Sequence, residues 1–341
     1  MPVPAILFPA DPLNPRRPDP HFAWEARLLR ELGGEHHLVD HDALLAGLAE
    51  QAVRLVPQDG GPLWYRGWML PSARYTGFAD ALAARGCALL TSPAGYAAAH
   101  ELPGWYDVFE GATPPSTWIP TAAAVVPGPE ELAAAAARLG GSGPAIVKDY
   151  VKSRKHEWHE ACYVPELADL ASVGRVVARF VELQGEFLAG GVVLRRYEEF
   201  ERLAGGSGGG SDDSSGEGAE SSRDGGSGEG AESSRDGGSG EGADGRSGRG
   251  SGRAVEARVW WLDGEPVLVG PHPDAPHHAV EPDLTDVRPL VRMLGCRFVT
   301  TDLASRADGS GWRVVEVGDG QVSDLPRGID ATGLLASLIA A

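Results

Sequence analysis

The chain is short of the residues that staple small folds or build metal clusters. Its 341 residues include three cysteines, Cys87, Cys162 and Cys296, far apart and each in an apolar context. An odd count without C-x-x-C spacing supports neither a disulfide framework nor a zinc site, so buried thiols in a reducing cytoplasm are expected. No stretch approaches the roughly eighteen apolar residues of a membrane span. The N-terminus "MPVPAILFPADPLNP" lacks the basic start and long apolar run of a signal peptide. Positive charge is scarce as well: 30 Lys and Arg stand against 48 Asp and Glu, a net charge of −18. That balance argues against a nucleic-acid binder, whose surface a basic patch would dominate. A cytoplasmic protein is expected, and its Ala, Gly and Arg richness points to a GC-rich bacterial genome.

Residues 205–253 lack every aromatic and branched aliphatic side chain. Ser215 to Gly226 recurs as Ser227 to Gly238, and a third copy begins at Ser239. Such a segment cannot bury enough apolar surface to offset its ordering entropy, so a disordered insert is expected. The "GGSGGG" inside it fits G-x-G-x-x-G by accident, with no strand before it and no helix after it.

What remains divides into two parts. Residues 1–118 alternate strands ("AILF", "HHLVD", "PLWYRGWML", "CALLTS") with helices ("HFAWEARLLRELGG", "YTGFADALAARG"). This is the pattern of a small parallel α/β layer. "SPAGY" opens a further helix with a Ser-Pro start, and "TPPSTWIP" marks the crossing to the second part. Residues 119–341 read as α+β. The helix "GPEELAAAAARLG" precedes the strand "PAIVKDYV", and a long helix leads to "GGVVLRRYEEF". Beyond the insert come a hairpin turning at Asp263-Gly264, a helix, and an antiparallel pair joined at Asp308-Gly309.

Chemistry gathers in this second part. Lys148, Lys152, Arg154 and Lys155 fall close together in "VKDYVKSRK", a local basic cluster in an acidic protein. Lysine is a point-charge phosphate ligand on a flexible stem, although a lone strand lysine is more often simply solvated. If the last two strands pair, Asp302 and Glu316 come side by side on one face. Two bare carboxylates repel, and a divalent cation such as magnesium would resolve the repulsion. Glu256 and Arg258, two apart, share a strand face, and an arginine can clamp phosphate or carboxylate through two hydrogen bonds. Arg195 and Arg196 face opposite ways, so only one points inward. The irregular "GPHPDAPHHAVEP" with His272, His277 and His278 reads as a solvated or substrate-facing loop, and Trp64, Trp68 and Trp105 as packing residues.

In order, "LWYRGWML", "HELPGWY", "VKDYVKS", "GGVVLRRY", the E-x-R strand and "VVEVGDGQVS" resemble the ATP-grasp superfamily. More narrowly, they resemble the bacterial clade named for two arginines and a lysine. The resemblance spans the chain apart from the insert. It implies a pre-ATP-grasp α/β layer followed by an ATP-grasp domain, with ATP and Mg2+ as cofactors. It also implies small-molecule carboxylate and amine substrates, with neither nucleic acid nor membrane as partner. Carried over, Lys148 touches the ATP phosphates, while Lys152, Ser153 and Lys155 belong to a mobile loop closing over them. Tyr197, Glu198 and Glu199 form the hinge beside adenine and ribose, with Glu256 among the nucleotide ligands. Arg258 and Arg196 neutralise phosphate and the reacting carboxylate. Asp302, Glu316 and Asp319 hold magnesium, although many superfamily members carry asparagine where Asp319 stands. The implied reaction joins a carboxylate to an amine or similar nucleophile through an acyl phosphate, with positioning and charge stabilisation carrying the catalysis. The alternatives are a nucleotide-binding regulator without ligation and a phosphotransferase.

Overall fold

The computed structural model describes residues 3–203, 254–273, 275, 278, 280–326 and 328–341. The repeat segment expected to lack structure lies outside the described residues, as does His277. Met1–Arg202 and Ala254–Ala341 form one compact unit. Its three sheets account for the site.

The first sheet is the expected parallel layer. β1 (Ala5–Asp11) lies between β3 (His36–Val39) and β4 (Gly61–Tyr65), and β5 (Cys87–Leu89) extends the sheet beyond β4. The apolar run Ala5, Ile6, Leu7 and Phe8 is buried throughout, as a parallel strand covered on both faces requires. One strand went unread in the sequence: β2 (Asn14–Pro18), which folds back antiparallel on the end of β1. The helix Pro93–His100 starts at the Ser-Pro signal, with the Ser92 hydroxyl accepting the Gly95 N–H at 3.1 Å.

The second sheet is antiparallel, in the order β6 (Ser116–Pro120), β9 (Gly191–Arg196), β7 (Ala145–Lys148), β8 (Tyr163–Val164). The boundary expected at residue 118 falls inside β6. Ile119, Val147 and Leu194 from its strands meet Leu132, Val177 and Phe180 from the helices Pro129–Arg138 and Leu170–Gln184.

The third sheet, also antiparallel, runs β11 (Glu265–Pro271), β10 (Glu256–Leu262), β12 (Phe298–Ser305), β13 (Trp312–Asp319). Both expected turns form, and at the first Asp263 and Gly264 take φ of +50° and +80°. Strand alternation divides this sheet's side chains between two cores. Val259, Trp261, Val299 and Val317 pack with Trp105 and Phe109, whereas Trp260, Leu262 and Phe298 pack with Ile6, Phe8 and Trp64 of the parallel layer. Trp64 and Trp105 are core residues, as expected, and all three cysteines are buried and unbridged. No helix among the described residues is long and apolar enough to cross a membrane.

Candidate active site between the second and third sheets

Lys148 ends β7, and its ammonium lies 3.8 Å from Glu316 Oε1 on β13. Lys148 is 5% exposed, and burial lowers the pKa of its ammonium, an effect Glu316 partly offsets. Among the described residues this long ionic contact is the one side-chain partner of a group with three N–H donors.

The turn leaving β7 is anchored by Asp149. Asp149, buried beside Lys148, accepts the N–H groups of Val151 (2.7 Å), Lys152 (2.5 Å) and Ala189 (3.2 Å), and the Gln184 side-chain amide (2.8 Å). Ser153 then bridges back to Lys148. Lys152 and Lys155 are exposed at the cleft end of this anchored turn. Asp149 was not singled out in the sequence, yet it holds the loop that presents the lysines.

The acid pair forms as expected: Asp302 on β12 and Glu316 on β13 are direct cross-strand partners. Asp319 does not join them. Three residues beyond Glu316 on one strand, it points to the opposite face and pairs in register with Val299. There one carboxylate oxygen accepts the Gln321 backbone N–H (2.9 Å) and side-chain amide (3.0 Å), while the other has no hydrogen-bond partner among the described residues. Burial pushes its pKa up to about 7. Of the three acids expected to hold magnesium, Asp302 and Glu316 share a face and Asp319 lies on the other. No group of three or more metal-ligating side chains occurs among the described residues.

Both arginines expected at the site are engaged by protein groups. Arg258 is committed to Asp302 through two hydrogen bonds, Nε to Oδ1 at 2.7 Å and Nη2 to Oδ2 at 2.8 Å. Burial alone would raise the Asp302 pKa, but Arg258 and then His272 hold it well below the usual carboxylate range. Arg258 thus holds the acid. Arg196, at the end of β9, turns out to the Ser142 carbonyl. Arg195 is the residue that faces inward, 4% exposed, donating to Ser116 Oγ (2.9 Å), Thr113 Oγ1 (2.7 Å) and the Val315 carbonyl (2.5 Å). Strand alternation permitted one inward arginine; packing decided which.

Of the two places expected for His272, a solvated or a substrate-facing loop, the structure excludes the solvated one. His272 is 9% exposed, with Nε2 3.3 Å from Asp302 and Nδ1 3.7 Å from Glu256. Glu256 therefore faces a histidine at the edge of the acid pair. His100, in the "HELPGWY" stretch, is buried near Glu316, Lys152 and Lys148, and burial pushes its pKa down to about 4.

Just beyond β9, both carboxylate oxygens of Glu198 are taken by Arg313, at 2.8 and 2.9 Å. Glu198 thus ties the end of β9 to β13. Glu199 is exposed and, with Arg306, Ala307 and Asp308, lines a cavity of about 300 Å³. Tyr197 packs edge-on against Trp158 and Tyr163, ring centroids 6.0 and 5.5 Å away. The insert is rooted just beyond: Arg202 and Ala254 are antiparallel bridge partners.

A parallel α/β layer, then two antiparallel sheets facing each other across a strand lysine and a strand acid pair, define an ATP-grasp fold. The sequence matches the ATP-grasp domain of family 3 in the clade named for two arginines and a lysine, over residues 138–220 and 245–338. The chain belongs to that family. Among solved structures it is similar to the D-cycloserine synthetase DcsG, with 14% identity, a TM-score of 0.53 and 98% of each chain covered. It is similar also to a RimK domain ATP-grasp protein from Sphaerobacter thermophilus DSM 20745, with 14% identity, a TM-score of 0.52 and coverage of 99% and 100%. The ATP-grasp ligase PsnB, complexed with precursor peptide PsnA2 and AMPPNP, gives 15% identity, a TM-score of 0.50 and coverage of 98% and 97%. At such identities the likeness is one of fold. A search of curated proteins found no match.

Proposed function

We propose that the protein is an ATP- and magnesium-dependent ligase joining a carboxylate to an amine or similar nucleophile. The observation that carries this reading is Lys148: a buried ammonium in the cleft of an ATP-grasp fold, with one ionic partner 3.8 Å away. A buried cation so sparsely partnered fits a ligand that brings its own negative charge and acceptor oxygens. In this reading Lys148 holds nucleotide phosphate, and Lys152, presented by the Asp149-anchored turn, adds charge from the open side. ATP supplies the phosphoryl group that activates the carboxylate. Asp302 and Glu316 suit a hard cation that takes its other ligands from phosphate and water. Arg258 and His272 keep Asp302 ionised and oriented. Tyr197 and Glu199 lie at the hinge, where the base and ribose belong.

The test is a screen of purified protein with ATP, magnesium, amino acids and small carboxylic acids, following ADP and phosphate release and analysing products. Free phosphate together with a new amide supports ligation. A stable phosphorylated product, or nucleotide binding without turnover for any acceptor, overturns it.

A further inference from the structure

Glu316 reaches the cleft because β13 is irregular. Asp302 pairs with Glu316, but its neighbour Leu303 pairs with Val314, which leaves Val315 as an extra residue in the strand. In a regular strand Val314 and Glu316 would share a face. The bulge separates them: Val314 is 1% exposed in the core with Trp105 and Phe109, while Glu316 faces Lys148. A bulge re-aims side chains in this way and also interrupts the ladder that would hold it, so it needs outside support.

That support comes from β9. The Arg195 guanidinium donates to the carbonyl of Val315, the bulged residue itself, at 2.5 Å. Two further donors are fixed by Ser116 Oγ and Thr113 Oγ1, and its guanidinium carbon lies 5.6 Å from the Trp105 ring centroid. The neighbouring Val314 N–H donates to the Ala112 carbonyl at 3.0 Å, so the bulge is seated on the segment that leads into β6. With no direct carboxylate partner among the described residues, this buried guanidinium is a costly group to retain for packing alone.

We propose that Arg195 is a positioning residue for Glu316, acting through the Val315 bulge. Its fork of fixed donors sets where the bulge sits and so aims Glu316 at the cleft opposite Lys148. A lysine could keep the charge but not three directed hydrogen bonds from one planar group. The consequence for metal-supported nucleotide binding rests on the function proposed above; the consequence for the strand does not.

Arg195→Lys tests both. In the nucleotide-free protein, amide hydrogen exchange of Val315, Glu316 and Val317 is expected to speed up about tenfold or more, with the β10–β12 amides unchanged. In calorimetric ADP titrations, Arg195→Lys and Glu316→Gln should weaken binding in magnesium by similar factors, and the double variant no further. Titrations in a chelator should leave Arg195→Lys close to wild type. Thr113→Val, which removes one partner of Arg195, should give the same pattern more weakly and stands in if Arg195→Lys does not fold. Unchanged exchange at the bulge overturns the clamp, and multiplying losses in the double variant overturn the coupling to Glu316. A wild-type protein that binds no ADP defeats the proposed function instead and leaves the exchange result to decide the clamp.

Discussion

Lys148 on β7 faces Glu316 on β13 at 3.8 Å, a long ionic contact between two sheets that Arg195, bonded to the Val315 carbonyl, and shared apolar packing already join. Lys148→Met should therefore remove a ligand contact without removing much structure. A charge-assisted hydrogen bond is worth about 1.5–3 kcal/mol, so nucleotide affinity should fall roughly ten- to a hundredfold. The melting temperature should hold or rise, because a buried charge has been replaced by an apolar chain of similar length. Calorimetry with ADP and a thermal melt on the same preparation check both. Wild-type affinity in the variant would remove Lys148 from the nucleotide site.

Glu316→Gln and Asp319→Asn separate the two halves of the expected metal set. Glu316→Gln takes away a hard anionic ligand at constant size and should abolish magnesium-dependent turnover. Asp319→Asn, on the opposite face, should leave the magnesium dependence unchanged. Magnesium titrations of ATP turnover for the two variants distinguish them. An Asp319→Asn protein with a shifted magnesium requirement would return Asp319 to the metal.

These outcomes bear on what the sequence could and could not disclose. The layer order and the Asp302–Glu316 pairing were legible because strand periodicity and turn residues set them locally, whereas the inward lysine followed only from the family resemblance. What escaped depended on side chains meeting across long separations. Arg258 and Asp302 are 44 residues apart, and nothing local says that they chelate each other. The choice of Arg195 over Arg196 rests on Thr113, Ser116 and Val315. The prolines around His272 left a solvated and a substrate-facing loop equally open, and only the end of β11 brings it beside Asp302. The Val315 bulge had no signal in "VVEVGDG", which reads as uninterrupted strand.

The roots of the insert also yield an expectation. Arg202 and Ala254 are bridge partners, and the Val255 N–H donates to the Glu201 carbonyl at 2.8 Å, so the ends are already adjacent. Replacing residues 206–252 with a short Gly-Ser turn should leave the three sheets and the ADP affinity unchanged. Loop closure grows only slowly with length, so the gain in stability should be modest, about 2 kcal/mol. Thermal melts and ADP titrations of the shortened chain measure it. Loss of nucleotide binding in a folded deletion variant would make the repeat part of the site.

The buried carboxyl of Asp319 makes the last prediction, on stability against pH. Burial raises its pKa from 3.8 to about 7. The folded protein therefore binds a proton more tightly there than the unfolded chain does. Stability from this group is complete below the unfolded value and declines as pH rises through the interval, by on the order of 4 kcal/mol at most. His100 works in the opposite sense, since burial lowers its pKa from 6.5 to about 4, and its contribution is lost as pH falls through that window. Comparing Asp319→Asn with wild type cancels the histidine. The asparagine cannot ionise, and it keeps an oxygen for the Gln321 donors that now bond Asp319. The variant's advantage in melting temperature should grow from pH 4 to pH 7 and level off above. An advantage that shrank over the same interval would mean that a cation or hidden donor stabilises the ionised Asp319, against the orphaned oxygen seen in the fold.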